Sequence, residues 1–262
     1  MRTTPHLWLP SFLAVLCTAL FLAASAEAQL VFPATYTGDL PCADCPGISY
    51  HLNLFPDQTF AMRRMYQGRF GRFDAAGRWA RSSDGALLML KGENEVTLLS
   101  LRDAETLRVL DRNGSEIRSN LNVDLKRAAA VVPLDVPLDR GVSMSPLTNA
   151  PLVGTNWVLT LVADKSVPPG DTAQRAGLSF DAAGRVTGSD GCNRLSGTYT
   201  QKDSGLSFGA MAGTRMACPN LDDRDRLLAM ALSGTGRWRV TGDRLELMRP
   251  DGTRLALLVK AQ

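Results

Sequence analysis

The sequence predicts a mainly β protein of two small antiparallel β-barrel-like domains, the second with one α-helix, joined by a proline-rich linker. Three observations predict it: apolar and polar residues alternate along short runs, turn-forming residues separate these runs, and four prolines interrupt the middle of the chain. The 262 residues are 45% hydrophobic and 21% charged, a composition typical of globular proteins. A formal charge of +3 is too small to indicate a nucleic-acid partner.

Residues 1–28 are predicted to be a cleavable signal peptide that exports the chain to the periplasm. A largely apolar run follows Arg2, and Ala26 and Ala28 supply the small residues that signal peptidase requires. Cys17 follows Val15-Leu16 rather than a small residue, so the sequence contains no convincing lipobox. No second apolar run is long enough to span a membrane, so no transmembrane segment is expected in the mature chain.

Residues 29–127 are predicted to form the first β-domain. Ile48, Tyr50, Leu52 and Leu54 alternate with polar residues, as in a strand with one buried face. Further short apolar runs follow, separated by turn sequences such as Asp-Gly at residues 84–85. This pattern is typical of an antiparallel meander, and it predicts a small barrel or sandwich.

Residues 128–153 are predicted to be the linker between the domains. They contain Pro133, Pro137, Pro146 and Pro151, which prevent a regular helix or a central strand. The sequence VPLD occurs twice, at residues 132–135 and 136–139. We therefore expect an extended, semi-rigid spacer with polyproline character.

Residues 154–262 repeat the pattern of short strands and turns, with one exception. A helix is predicted to begin after Asn220, which can cap it, and to continue through Leu232. Leu228, Ala231 and Leu232 have the spacing of a buried helix face. Asp222 lies in the predicted first turn, where a carboxylate interacts favourably with the helix dipole.

Cys42 and Cys45 form the strongest local motif, PCADCPG at residues 41–47. Their spacing suits a tight structural disulfide, a redox couple or half of a soft metal site. A thioredoxin-like couple is disfavoured because the motif leads into a strand rather than a helix. Zinc would require more ligands than this domain offers, whereas copper(I) accepts thiolates and thioethers. The candidate copper ligands are Cys42, Cys45, His51, Met62 and Met65.

The second domain contains Cys192 and Cys218. An exported chain with four remaining cysteines is expected to form two disulfides, and the simplest of three connectivities pairs the cysteines within each domain. That connectivity predicts the bonds Cys42 to Cys45 and Cys192 to Cys218.

Arginines accumulate between residues 63 and 81, interleaved with Phe70, Phe73 and Trp79. The simplest interpretation is a set of solvated strand faces with the aromatic side chains turned inward. The alternative is a site for an anionic envelope lipid or glycan. Catalysis is disfavoured, because His51, the histidine left after removal of the predicted signal peptide, permits no metalloprotease helix motif, and no nucleophile-elbow sequence is present.

Two segments of the sequence resemble known families. The pattern around Tyr36, Gly38 and the Cys42–Cys45 motif resembles the N-terminal domain of the NlpE family over about residues 34–120. Residues 152–260 resemble a META domain of the HslJ type, on a motif set that comprises Trp157, Gly191, Cys192, Asn193, Thr214 and Cys218. The resemblance implies a lipocalin-like barrel followed by a META β-domain, both periplasmic and neither with an established catalytic activity.

The NlpE-like resemblance also implies signalling of adhesion, lipoprotein-sorting defects and copper stress to an envelope sensor kinase. This sequence departs from the family, because the lipid-anchored cysteine at the signal junction is missing. The resulting hypothesis is a non-catalytic periplasmic envelope protein that acts in stress response or outer-membrane barrier maintenance, through protein or anionic-lipid contacts. No resident cofactor is expected. The alternatives are a copper(I)-binding or copper-resistance protein and a lipocalin-like carrier of an apolar ligand.

Overall fold

The computed structural model describes residues 30–137, 145–168, 175–217 and 223–262. In these ranges it contains eighteen strands and one helix, arranged as two antiparallel barrels, which confirms the predicted fold class. The predicted signal peptide lies outside the described residues. Within the described ranges, no helix has the length and apolar character needed to cross a bilayer.

The first barrel is a meander of eight strands in which each strand pairs with the next, and β1 pairs with β8 to close it. The strands are β1 (Ala34–Leu40), β2 (Ile48–Leu54), β3 (Thr59–Tyr66), β4 (Arg72–Arg81), β5 (Leu87–Gly92), β6 (Val96–Asp103), β7 (Thr106–Val109) and β8 (Asp124–Arg127).

Alternation along these strands fills the first barrel with side chains. Leu52 and Leu54, predicted on one face of β2, are fully buried together with Tyr36, Phe60 and Met62 in a single apolar cluster. Burial of side chains of this size contributes roughly 1.5–3 kcal/mol each. An apolar ligand inside this barrel, as the carrier hypothesis requires, would have to displace them.

The second barrel is also closed, because its first long strand pairs with its last. Its main strands are β9 (Asn156–Val162), β11 (Gly177–Phe180), β12 (Arg185–Ser189), β13 (Arg194–Lys202), β14 (Gly205–Phe208), β16 (Arg237–Thr241), β17 (Arg244–Met248) and β18 (Arg254–Lys260). Two short strands, β10 (Lys165–Ser166) and β15 (Ala212–Gly213), pair at its sides.

Helix α1 (Arg224–Gly234) packs on the second barrel and begins later than the sequence suggested. Leu228, Ala231 and Leu232 are buried, as their spacing predicts. The predicted cap Asn220 lies outside the described residues, and Asp223 immediately precedes the helix with a φ of 57°. A left-handed residue cannot continue an α-helix toward its N-terminus, so the helix begins at Arg224.

The described parts of the linker make hydrogen bonds to the barrels along the protein surface. Residues 131–135 cross the outer face of the first barrel, where Val132 and Leu134 hydrogen-bond to side chains of β1 and β2. Farther along, Asn149 donates to the carbonyl of Arg81 at 2.9 Å and accepts from the amide of Gly242 at 2.7 Å. Asn149 therefore bonds to both barrels.

The barrels also contact each other directly. The backbone amide of Ser83 donates to the carbonyl of Val240 at 2.8 Å, and the amide of Val240 donates to the Ser83 hydroxyl at 3.0 Å. Beside these bonds, an apolar cluster combines side chains of the first barrel with the linker: Leu87, Met89, Leu98, Leu110 and Leu147. An interface that is both apolar and hydrogen-bonded restrains relative domain motion.

Candidate functional site

The Cys42–Cys45 motif forms a disulfide-closed loop at one end of the first barrel. Strands β1 and β2 stay in register up to the pair Leu40 and Ile48, so residues 41–47, here called the cysteine loop, connect neighbouring strand ends. The disulfide joins Cα atoms that lie 5.2 Å apart. It restricts the conformations of a loop that otherwise contains little regular structure.

The turn between β3 and β4, residues 67–71, supports the cysteine loop. The amide of Gln67 donates to the carbonyl of Gly47 at 2.9 Å. Arg69 donates to the carbonyl of Asp44 at 2.6 Å and pairs with its carboxylate at 2.9 Å. Loop and turn therefore form one continuous surface, which we call the loop–turn surface.

Two aromatic side chains at the loop–turn surface are exposed, contrary to the expectation that they turn inward. Phe70 is fully exposed at the tip of the β3–β4 turn, and Phe73 is 53% exposed. Phe73 contacts Tyr66 edge to face, with ring centroids 5.3 Å apart. The alternation of inward and outward side chains applies only within the barrel wall. Phe70 lies at the tip of a hairpin that projects beyond the barrel, so its side chain has no core to enter. Trp79 is buried, as predicted, and donates to the carbonyl of Phe55 at 3.0 Å.

Several arginines of the run between residues 63 and 81 form ion pairs with acidic residues. Arg63 bonds Asp74 at 2.8 Å, and Arg72 bonds the same carboxylate at 2.6 Å. Arg64 pairs with Glu95 at 2.7 Å. Hydrogen bonding from Arg63, assisted by Arg72, lowers the pKa of Asp74 to about 2. These pairs favour the interpretation of the run as solvated strand faces, and they reduce the positive charge available to an anionic lipid.

The predicted copper ligands are not brought together as one set. Of the His, Cys, Asp and Glu side chains in the described residues, Cys42, Asp44 and Cys45 place their ligand atoms within 4.8 Å of one another. His51 instead hydrogen-bonds through Nε2 with the carbonyl of Val132 at 2.8 Å. Sequence reasoning missed Asp44, although its position between the cysteines could have indicated it.

The two methionines of the predicted copper set point in different directions. Met62 is buried in the core of the first barrel. Met65 is about half exposed and lies with His51 along a surface cavity on the outside of the barrel. Alternation along β3 explains the difference, because residues an odd number of positions apart face opposite sides.

The predicted motif residues of the second domain have structural contacts. Cys192 is disulfide-bonded, and Cys218, its predicted partner, lies outside the described residues. The side-chain oxygen Oδ1 of Asn193 accepts from the Met216 amide at 2.8 Å and from the Thr214 hydroxyl at 3.2 Å. Asn193 therefore holds the segment that precedes Cys218 against the start of β13.

Two further motif residues stabilise the same domain. Gly191 has a φ of 100°, a conformation that a residue with a Cβ atom rarely adopts. Trp157 is buried in the core, where its indole nitrogen donates to the carbonyl of Leu152 at 3.1 Å. The positive φ of Gly191 and the burial and hydrogen bond of Trp157 therefore give both positions a role in folding.

Comparison with known proteins finds similarity for two segments of the chain. Residues 36–120 match the model of the NlpE N-terminal domain, and residues 150–262 match the META domain. Over 122 residues the chain is 34% identical to lipoprotein NlpE of Escherichia coli, which corresponds to 45% of this chain and 51% of that protein. The chain thus spans about half the length of this curated relative.

Solved structures are similar to parts of the chain. A protein from Burkholderia xenovorans is 30% identical, with 42% of this chain and 84% of that chain covered and a TM-score of 0.36. The crystal structure of the Cpx pathway activator NlpE from Escherichia coli is 23% identical, with 72% and 98% covered and a TM-score of 0.30.

Proposed function

We propose that this chain, which joins an NlpE N-terminal domain to a META domain, is a non-catalytic periplasmic protein that acts in the envelope stress response. The single observation that carries the proposal is the loop–turn surface, where a disulfide-closed loop and a hairpin turn together present the exposed ring of Phe70. The proposed partner is an envelope sensor kinase, the class implied by the sequence resemblance.

Exposed aromatic rings on restrained loops have the properties of binding anchors. A ring loses little conformational entropy on binding, and aromatic residues are enriched among the positions that dominate interface energies. The disulfide and the Arg69–Asp44 pair restrain the surface before binding, which lowers the entropic cost of association. A surface of this kind suits contact with a protein.

The surroundings of the histidine support a non-catalytic role. His51 Nε2 bonds with a backbone carbonyl, and the nearby Ser49 hydroxyl donates to Asp39 at 2.6 Å. A nucleophile activated by histidine requires a hydrogen bond between the two side chains. His51 and Ser49 therefore bond to Val132 and Asp39, respectively, in place of each other.

The proposal is tested by deleting the gene and complementing the deletion strain with variants. We expect the deletion to sensitise cells to copper, detergents and hydrophobic antibiotics, and the natural sequence to restore tolerance. Phe70→Ser should fail to restore it while the protein accumulates normally, because the ring contributes no burial. Val96→Ser is the matched control, since Val96 is 48% exposed elsewhere on the same barrel. A deletion strain with wild-type tolerance, or full rescue by Phe70→Ser, would contradict the proposal.

Copper(I) binding is a second candidate function, favoured by the proximity of the ligand atoms of Cys42, Asp44 and Cys45. Binding would require reduction of the disulfide, since thiolates are the copper ligands. We expect the reduced protein to compete with a colorimetric chelator for one copper(I), and Cys42→Ser to lose this affinity. His51→Ala should have little effect, because His51 lies outside the cluster. Equal affinity in Cys42→Ser would exclude the site.

A further inference from the structure

The linker occupies a groove on the outer face of the first barrel. Thr35 on β1 and Asn53 on β2 are cross-strand neighbours that face this groove, and both are almost completely buried. Their side chains bond to each other, Asn53 Nδ2 donating to Thr35 Oγ1 at 2.7 Å. Polar side chains on the outside of a barrel become buried only when something covers them, and here the linker does so.

The amide of Asn53 recognises the linker backbone on both sides of a proline. Its Nδ2 group donates to the carbonyl of Val132 at 3.0 Å, and its Oδ1 atom accepts from the amide of Leu134 at 2.9 Å. Thr35 Oγ1 accepts from the amide of Val132 at 2.9 Å. Pro133 lies between these residues and lacks an N–H group, so it leaves no donor without a partner.

Two arginines at the rim of the groove contact an acidic residue of the linker. Arg63 on β3 bonds the carboxylate of Asp135 at 2.5 Å, and Arg72 lies 3.5 Å from the same oxygen atom. Hydrogen bonding from Arg63 lowers the pKa of Asp135, consistent with a direct contact between the two side chains. Within residues 132–135 the groove therefore contacts the N–H and C=O groups of Val132, the N–H group of Leu134 and the carboxylate of Asp135.

We infer that this groove is a peptide-binding site for extended segments of the type Val-Pro-Leu-Asp, filled in this structure by the chain's own residues 132–135. Side chains of β1 and β2, rather than the free backbone edge of a sheet, bond the segment, so the groove recognises an extended backbone together with one carboxylate. The same four residues recur at 136–139, of which the last two lie outside the described part of the chain. A second peptide of this sequence would thus find a complementary site whenever the resident segment leaves.

The inference is tested with a peptide added to a chain whose own segment has been removed. Residues 130–139 are replaced by alternating glycine and serine of equal length, which removes both VPLD copies. The probe is a fluorescein-labelled peptide of residues 130–136, AVVPLDV. We expect saturable binding to the replaced chain and at least about tenfold weaker binding to the natural chain, whose groove is occupied.

Matched variants separate recognition from nonspecific adhesion. Asn53→Ala in the replaced chain, and a peptide with asparagine in place of the aspartate, should each weaken binding by at least about tenfold. Arg226→Ala, which lies on the helix of the other domain, should bind the peptide normally. A folded replaced chain that shows no saturable binding, or equal binding by Asn53→Ala, would overturn the inference.

A measurement on the otherwise natural chain covers the case in which the replaced chain does not fold. Amide exchange of Leu134, followed by nuclear magnetic resonance, should be slow in the natural chain and at least about tenfold faster in Asn53→Ala. Unchanged exchange would show that Asn53 does not hold the segment and would overturn the inference. Faster exchange confined to residues 131–135 would support it.

Discussion

Replacing Arg239 by alanine should weaken both the second barrel and its attachment to the first. Arg239 Nε and Nη2 bond Glu246 at 2.7 and 2.6 Å, and Nη1 lies 3.4 Å from the Asp84 carboxylate of the first barrel. The side chains of Arg239, Asp84 and Glu246 are only 14%, 6% and 6% exposed. Alanine would leave two buried carboxylates without their main cationic partner.

The expected loss follows from what remains around the two carboxylates. Removing one member of a buried ion pair typically costs ~3–5 kcal/mol, because the other charge stays buried. Glu246 keeps Arg254 at 3.6 Å, and Asp84 keeps bonds from the Ser82 hydroxyl and the Ala86 amide. These residual contacts place the loss near the lower limit, at about 3 kcal/mol.

Urea denaturation followed by tryptophan fluorescence measures this loss. Trp79 reports the first barrel, whereas Trp157 and Trp238 report the second. We expect Arg239→Ala to lower the unfolding free energy and to separate the transitions of the two barrels. The control is Arg226→Ala, whose pair with Asp223 is mostly exposed and should contribute less than about 1 kcal/mol. If the unfolding free energies of both variants fell by the same small amount, the argument that the Arg239 pair is stabilising because it is buried would be refuted.

Three further predictions concern single groups. Asp74 has a folded-state pKa of about 2, below its unfolded value of ~3.9, so its stabilising effect is present above about pH 4 and is lost as the pH falls toward 2. Between these pH values the unfolding free energy of Asp74→Asn should therefore fall by about 1 kcal/mol less than that of the natural chain, a figure reduced for solvent screening and measured by acid titration. Cys42→Ser should lower the unfolding free energy by about 2 kcal/mol, measured without reductant, because the short ring to Cys45 no longer restricts the unfolded chain. Asn193→Ala should cost ~1–3 kcal/mol in thermal unfolding, because the buried Asn193 side chain no longer accepts from the Met216 amide and the Thr214 hydroxyl, two hydrogen bonds of ~0.5–1.5 kcal/mol each.

The features that the sequence predicted well are those with a strong period or a fixed covalent spacing. Leu52 and Leu54 alternate with polar neighbours, and both are buried in the first barrel. The spacing of Cys42 and Cys45 suits a disulfide, which the structure contains. In both cases the chemistry depends on residues a few positions apart, so no long-range information is required.

The features that the sequence predicted poorly depend on the register between strands. Arg63 and Asp74 are eleven residues apart and become cross-strand partners only through the pairing of β3 with β4. The run of arginines alone left two interpretations open, and the ion pairs created by this register favour solvated strand faces over an anion site. Phe70 was misjudged for a related reason, because its exposure depends on how far the hairpin projects beyond the barrel.

The linker shows most clearly how local composition and tertiary contacts can lead to different expectations. Its prolines predict that no regular helix or central strand forms, and residues 128–137 and 145–153, the described part of the linker, contain none; an extended chain without internal hydrogen bonds looks like a spacer. That same property leaves its backbone amides and carbonyls free to bond with side chains of the barrel, as Val132 and Leu134 do with Asn53. An extended proline-rich segment is therefore suited both to act as a spacer and to bind a protein surface. Here the residue that binds it, Asn53, lies about eighty positions earlier in the sequence.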